Sequence, residues 1–388
     1  MSDSSFIPYQ AVVNAFRHVG AGRNFNLLTM ARNGLPAYLP MNGFAFSPLT
    51  IFLSVNSVCN LRCKMCDFGQ KNEDSSFFHN LNPGGASASL DFDRLKDLLQ
   101  EASSFRPKPR ISVTTTEPFL YPRLFELARL TTDLGMDFQT TTNGLLLEKR
   151  IPEIMESGIS ELGVSIDAAG ALHDEIRGLP GLFDRIINGL KLLHEAKKRA
   201  GTKFPTVTIL TTISNFNYHA LADLFAVLPQ RLYDRAIISH MNFVSPASAE
   251  EHNTHFAGVG EAQVAGLPGD TDFLQVDVGM LHEQISRIKK TTPGAHFAPD
   301  FKLADLKCFY REPERFVWPT RCYIPWFVME ILADGGVIPM TRCIQLPLGN
   351  INEQGLAEIW NGPAYRKFRR QLKQHKRFPI CRRCRGLL

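Results

Sequence analysis

The sequence predicts an α/β protein built on a parallel sheet, and three observations lead there. Six apolar, β-branched runs (Ile51–Val55, Ile111–Thr114, Met136–Thr141, Leu162–Ile166, Thr206–Thr212 and Arg235–Ser239) have the length and composition of buried strands. Segments of helical period lie between them and supply the crossovers that parallel neighbours require. Eight cysteines fall into two groups, Cys59, Cys63 and Cys66 just after the first strand and Cys308, Cys322, Cys343, Cys381 and Cys384 near the end. Such a sheet collects ligands at the carboxyl ends of its strands, whether it stays open or curls into part of a barrel.

Taken in order, residues 1–48 show no clear period and are expected to form a cap or extension. Residues 49–241 are the repeating α/β core. Asp91–Ser103 sets Leu95, Leu98, Leu99 and Ala102 on one helical stripe, and Pro122–Leu134 opens on proline and stops at Gly135. Gly181–Ala200 and Asn217–Leu228 read as two more helices. Residues 242–305 are less regular and are expected to complete the core and supply a lid, with a Gly/Ala-rich stretch at Phe256–Gly269. Residues 306–388 change character. Trp326–Leu332, Asp334-Gly335-Gly336 and Val337–Met340 read as a hairpin, and a helix from Leu356 to Gln374 is interrupted at Gly362-Pro363.

Composition narrows the class. An apolar fraction of 44% and a charged fraction of 21% are ordinary for a globular chain, and no apolar run is long enough to span a bilayer. The start, MSDSSFIPYQ, lacks the charged and apolar regions of a signal peptide, so the expected location is cytoplasmic. From Ile359 to Leu388 there are ten Lys or Arg and no Asp or Glu. Nucleic-acid binding is one reading of such a tail; a solvated helix face offsetting an anionic cofactor is the preferred one.

The cysteines are the informative count. Disulfide scaffolds spread cysteines through short secreted chains, whereas two separate groups in a long chain indicate metal binding. Cys59-Asn-Leu-Arg-Cys63-Lys-Met-Cys66 places three thiolates on one tight loop. A structural zinc site would need a fourth ligand close by, and the local sequence offers none. Three ligands to a four-iron cluster leave one iron open for chemistry.

The Cys-x3-Cys-x2-Cys spacing after strand one resembles the signature of the radical S-adenosylmethionine superfamily. That resemblance implies a partial (β/α)6 TIM-like barrel with a [4Fe–4S] cluster on Cys59, Cys63 and Cys66. The open iron would chelate S-adenosylmethionine, which is cleaved reductively to a 5′-deoxyadenosyl radical that abstracts hydrogen from substrate. The other strand ends carry matching features. Thr115-Thr116-Glu117-Pro118 stands where the family usually has Gly-Gly-Glu-Pro, the turn whose backbone meets the cofactor's amino group; threonine restricts a backbone that glycine leaves free. Asn143-Gly144 follows strand three. Ser165 and Asp167 end strand four, and Arg177 follows. By resemblance Ser165 contacts the ribose and Arg177 the cofactor carboxylate, for which an arginine fork is suited.

Cys322-Tyr-Ile-Pro-Trp326, the Asp334-Gly335-Gly336 turn, Cys343, Gly349-Asn350, Trp360-Asn361 and Cys381-Arg-Arg-Cys384 resemble the auxiliary-cluster extension called SPASM, or its shorter form, twitch. Five cysteines suit the form with one auxiliary [4Fe–4S] cluster, and the resemblance assigns it Cys322, Cys343, Cys381 and Cys384. Cys343 replaces the family's usual position at Met340, and Cys308 is the spare. A four-cysteine zinc ribbon is the competing reading of the terminal Cys-x2-Cys. Glu251-His252-x2-His255 is read as solvated, and His240 and Asn242, after strand six, as substrate contacts.

The implied function is radical oxidation of a small metabolite or peptide, with the auxiliary cluster aiding dehydrogenation and an electron donor such as flavodoxin or ferredoxin. The alternatives are a redox-neutral epimerase, lyase or decarboxylase and, more remotely, a zinc protein without enzymatic activity.

Overall fold

The computed structural model describes residues 27–83, 87–318, 321–341 and 344–384. The first part of the expected cap, residues 1–26, and Cys343 lie outside them. The six expected strands are present as β1 Thr50–Leu53, β2 Arg110–Val113, β3 Phe138–Thr142, β4 Glu161–Ser165, β5 Thr206–Thr212 and β6 Arg235–Ser239. Three further segments join the parallel array and its edge: β7 Ala295–Ala298, β8 Val328–Ile331 and β9 Gly336–Ile338, with the two-residue β10 Gly349–Asn350 outermost. The order is β10-β9-β8-β1-β2-β3-β4-β5-β6-β7, a linear sequence with two free ends, as in a partial barrel.

β1 to β7 pair in parallel. The predicted hairpin is β8 and β9, and it does more than cap the chain. β8 pairs in parallel with β1, Thr50 opposite Val328 and Leu53 opposite Ile331, so the C-terminal segment continues the core sheet. β7 was not expected, because Ala-His-Phe-Ala has neither the β-branched content nor the length of the other strands.

The crossovers obey the stripes read from sequence. Phe92–Ser104 buries Leu95, Leu98, Leu99 and Ala102, and Asp91 caps its start by accepting from the Asp93 and Arg94 amides, both at 3.0 Å. Full burial of each leucine contributes roughly 1.5–3 kcal/mol relative to exposure. Leu182–Arg199 buries Leu182, Ile186, Leu190 and Leu193. The irregular region contains two helices of its own, Pro246–Phe256 and Val278–Thr291. The terminal helix is two, Leu356–Trp360 and Pro363–His375, divided at Gly362-Pro363 where a proline opens the second.

The basic tail differs from a solvated face. Arg369 is fully buried, stacked 4.2 Å from the Trp360 ring centroid, and donates to the Pro325 and Trp360 carbonyls at 2.7 Å. Arg383 is buried too. It donates to the carbonyls of Cys308 (3.0 Å), Phe309 (2.7 Å) and Glu312 (2.6 Å), closing the carboxyl end of the helix Leu303–Arg311. Arg382 pairs with Glu251 and Glu314. Among the described residues, the exposed basic members of the run are Lys367, Arg370 and Lys376.

Candidate active site

The carboxyl ends of β1 to β5 bring the predicted residues into one neighbourhood. The loop after β1 is braced from several sides. Asn56 Nδ2 donates to the Glu117 carbonyl at 3.1 Å, the Glu117 amide donates to Val58 O at 3.1 Å, and Asn143 Nδ2 donates to Asn60 Oδ1 at 2.7 Å. The Lys64 amide donates to Ile176 O at 2.8 Å, which ties the loop to the helix Gly170–Arg177. That helix ends at Gly178 with φ +73°, and a Cβ there would meet Arg62 O at 2.9 Å. Only glycine allows this turn and this approach together.

Cys63 is buried, while Cys59 and Cys66 are half-buried. Burial pushes the Cys63 thiol up to about 12, against the pull of Arg177, with Cys66 and Cys59 adding to the rise. Burial raises the Cys59 thiol as well, and Cys66 is among its neighbours. Among the described residues no three His, Cys, Asp or Glu side chains converge on one metal-ion position. A four-iron cluster takes one thiolate per iron, and three buried or half-buried thiols on one loop beside one guanidinium fit such a group.

The other predicted residues divide into two kinds. Arg177 sits with Nε and Nη2 each 2.6 Å from Asp167 Oδ2, and its Nη1 is 4.0 Å from Cys63 Sγ. Burial works against its charge, but Asp167 and Cys63 outweigh that and raise its pKa. Asp167 is fully buried. Its Oδ1 accepts from the Thr212 amide at 2.9 Å and its carbonyl from Asn217 Nδ2 at 2.8 Å, so it anchors Arg177 and faces no open space. His173 Nδ1 accepts from the Asp167 amide at 3.1 Å, and burial lowers that imidazole to about 3, leaving it neutral. Glu117 is likewise fully buried: its carboxylate accepts from Thr142 Oγ1 and from the Asn143 amide at 2.8 Å and from Phe119 N at 3.0 Å. Thr115, Thr116 and Ser165 are half-buried at the carboxyl ends of β2 and β4.

Sequence reasoning missed Asn56, Asp67 and Asn217, which hold the loops and carry no motif of their own. Asp67, fully buried next to Cys66, accepts from the Gly266 amide at 2.6 Å and so pins the Gly/Ala-rich stretch to the cysteine loop. His240 is a core residue rather than a substrate contact. It is fully buried, 3.0 Å from Tyr310 Oη and packed on Phe301 and Phe309. In Glu251-His252-x2-His255, His252 is buried and departs from the solvated reading, whereas His255 is exposed and Glu251 pairs with Arg382 while its side chain stays 43% exposed.

At the other cysteine group, burial raises the Cys322 thiol well above its ordinary value, and Cys381 and Cys384 add to the rise. Burial pushes Cys381 up to about 12. Cys308 stands apart: the charges it feels are Arg383, Glu312, Arg315 and Asp305, and its Sγ lies 3.9 Å from Phe316 O.

Comparison with known proteins agrees with this division. A family model described as the radical SAM superfamily matches residues 53–228, and one described as an iron–sulfur cluster-binding domain, SPASM, matches residues 322–385. An AdoMet-dependent heme synthase of Methanosarcina barkeri is 28% identical over 338 residues, spanning 83% of this chain and 85% of the relative. An Fe-coproporphyrin III synthase of the same organism is 26% identical over 215 residues, 55% of this chain and 49% of the relative. Streptococcus suis SuiB bound to S-adenosylmethionine shares the fold with a TM-score of 0.58 at 19% identity, over 88% of this chain and 72% of SuiB. The chain belongs to the radical S-adenosylmethionine superfamily, is a radical SAM enzyme, and carries a C-terminal SPASM-type domain for an auxiliary iron–sulfur cluster.

Proposed function

We propose that the enzyme oxidises a small molecule by two electrons and that a tetrapyrrole is its substrate class. The observation that carries the reaction type is the pairing of two separate thiol groups, one beside Arg177 at the mouth of the sheet and one in the C-terminal segment. Support for the substrate class comes from the heme synthase and the Fe-coproporphyrin III synthase named above.

Cys59, Cys63 and Cys66 are assigned the catalytic [4Fe–4S] cluster and Cys322, Cys343, Cys381 and Cys384 the auxiliary one. When bound, the first cluster would supply the electron for reductive cleavage of S-adenosylmethionine, and so the radical chemistry that removes hydrogen from substrate. A two-electron outcome requires a further electron and a proton to leave the substrate, and the C-terminal thiols would hold the electron acceptor. Asn143, Ser165 and the Thr115–Thr116 turn line the cofactor side, Glu117 and Asp167 fix its walls, and Arg177 presents charge to the cofactor carboxylate. An acidic one-electron carrier of the flavodoxin or ferredoxin type is the proposed donor, for which the exposed Lys367, Arg370 and Lys376 offer a complementary face. No helix among the described residues is long and apolar enough to cross a membrane.

The test incubates anaerobic, reconstituted enzyme with S-adenosylmethionine, flavodoxin or dithionite, and an iron porphyrin bearing propionate side chains. Formation of 5′-deoxyadenosine above the substrate-free rate, with a tetrapyrrole product two electrons more oxidised than the substrate by mass spectrometry, is the expected result. Turnover without net electrons leaving the substrate points to the redox-neutral alternative. No stimulation by tetrapyrroles ends the substrate assignment.

Arg177→Ala is expected to weaken S-adenosylmethionine binding roughly ten- to a hundredfold, the worth of one charge-assisted contact, without removing a cluster. It also leaves Asp167 buried without its partner, a loss of about 3–5 kcal/mol of stability. Adding Asp167→Ala should recover part of that stability and none of the affinity. Equilibrium binding and thermal unfolding on the two variants separate these effects; wild-type affinity in Arg177→Ala makes the residue structural only.

A further inference from the structure

The turn after β2 departs from ordinary backbone geometry at two consecutive residues. Thr115 has φ +68° and Thr116 φ +45°, both in the left-handed region. A β-branched side chain crowds the backbone there, and such residues persist only where their surroundings over-determine them.

The surroundings do so through the hydroxyls. Thr115 Oγ1 lies 2.6 Å from Ser54 Oγ and bonds the Thr114 carbonyl. Thr116 Oγ1 donates to Asn56 at 3.0 Å from its carbonyl and 2.9 Å from its side-chain oxygen. Ser54 and Asn56 follow β1, and Asn56 Oδ1 also accepts from the Val58 amide at 3.1 Å, one residue before Cys59. The turn is thereby strapped across to the start of the cysteine loop. Glycine would reach the same conformation with no strap at all, but would leave it free to leave.

We propose that Thr115 and Thr116 are positioning residues whose hydroxyls, tied to Ser54 and Asn56, hold the β2 turn in a left-handed conformation that presets its backbone for the amino group of S-adenosylmethionine. The inference rests on the cofactor assignment made above. It predicts that hydroxyl and backbone freedom substitute for one another: this chain needs the hydroxyls because it lacks the glycines.

Three double variants of the reconstituted holoenzyme test it, read by S-adenosylmethionine binding to the reduced cluster in paramagnetic resonance, by iron content and by thermal unfolding. Thr115→Val with Thr116→Val keeps shape and removes both hydroxyls. It should keep its iron and weaken binding at least about tenfold. Thr115→Gly with Thr116→Gly relieves the crowding and should bind within about threefold of wild type and unfold at a higher temperature than the valine pair. Thr115→Ser with Thr116→Ser keeps the hydroxyls and should match wild type, which preserves the test if the valine pair does not fold. The proposal is overturned if the valine pair binds like wild type, if the glycine pair loses as much affinity as the valine pair, or if the serine pair fails to bind. A wild-type protein that holds its cluster yet does not bind S-adenosylmethionine refutes the cofactor assignment instead, and the unfolding order of the glycine and valine pairs then still judges the strap.

Discussion

Anaerobically reconstituted enzyme is expected to hold about eight iron atoms per chain, and the Cys59→Ala, Cys63→Ala, Cys66→Ala triple variant about four. The argument is spatial as well as chemical. The loop after β1 owes its shape to Asn56, Glu117, Asn60 and Asn143, none of which depends on a thiol, so removing the sulfurs leaves the loop in place. The C-terminal thiols are held by other means, with Cys322 N donating to Lys376 O at 3.0 Å and Arg383 fixing the Cys381–Cys384 loop. Loss of one cluster should therefore spare the other, and S-adenosylmethionine cleavage should vanish. Iron and sulfide analysis checks the first statement, and 5′-deoxyadenosine formation the second. An iron count that does not change in the triple variant removes the catalytic cluster from this loop.

How much of this was legible beforehand follows from the range of each signal. The cysteine spacing, the six strands and the helical stripes are local patterns, and each was present at or within a few residues of its expected place. What escaped is non-local. Nothing in Val328–Ile331 says that it will pair with Thr50–Leu53 and extend the core sheet, because that contact joins segments far apart in the chain. Arg369 and Arg383 look like members of a solvated basic run, yet each satisfies carbonyls left open at turns and helix ends, and only the folded backbone reveals those partners. Asp67, Asn56 and Asn217 are short polar residues in loops, a composition that indicates turns in general and no particular partner. The Thr115–Thr116 pair is the instructive case. Its chemistry argued for a different backbone from that of two glycines, and the left-handed turn persists nonetheless because Ser54 and Asn56 stand opposite.

The auxiliary site carries the second large effect: Cys343→Ala is expected to lose about four iron atoms and destabilise the C-terminal segment, whereas Cys308→Ala keeps all of its iron. Cys322, Cys381 and Cys384 already influence one another, which leaves one ligand to find. Cys343, in the segment that follows the β8–β9 hairpin, is the candidate by sequence. Cys308 is the rival, and the structure gives it different work. Its side chain lies toward Phe316 O among Glu312, Arg315 and Asp305, while its backbone carbonyl accepts from Arg383. The residue therefore serves the Cys381–Cys384 loop through an atom that alanine retains. Its replacement should cost no more than about 1 kcal/mol in packing. Iron content, Mössbauer spectra and thermal unfolding of the two single variants decide between them. If Cys308→Ala strips the second cluster while Cys343→Ala keeps it, the helix Leu303–Arg311 must turn its thiol inward when the cluster assembles, and the ligand assignment passes to Cys308.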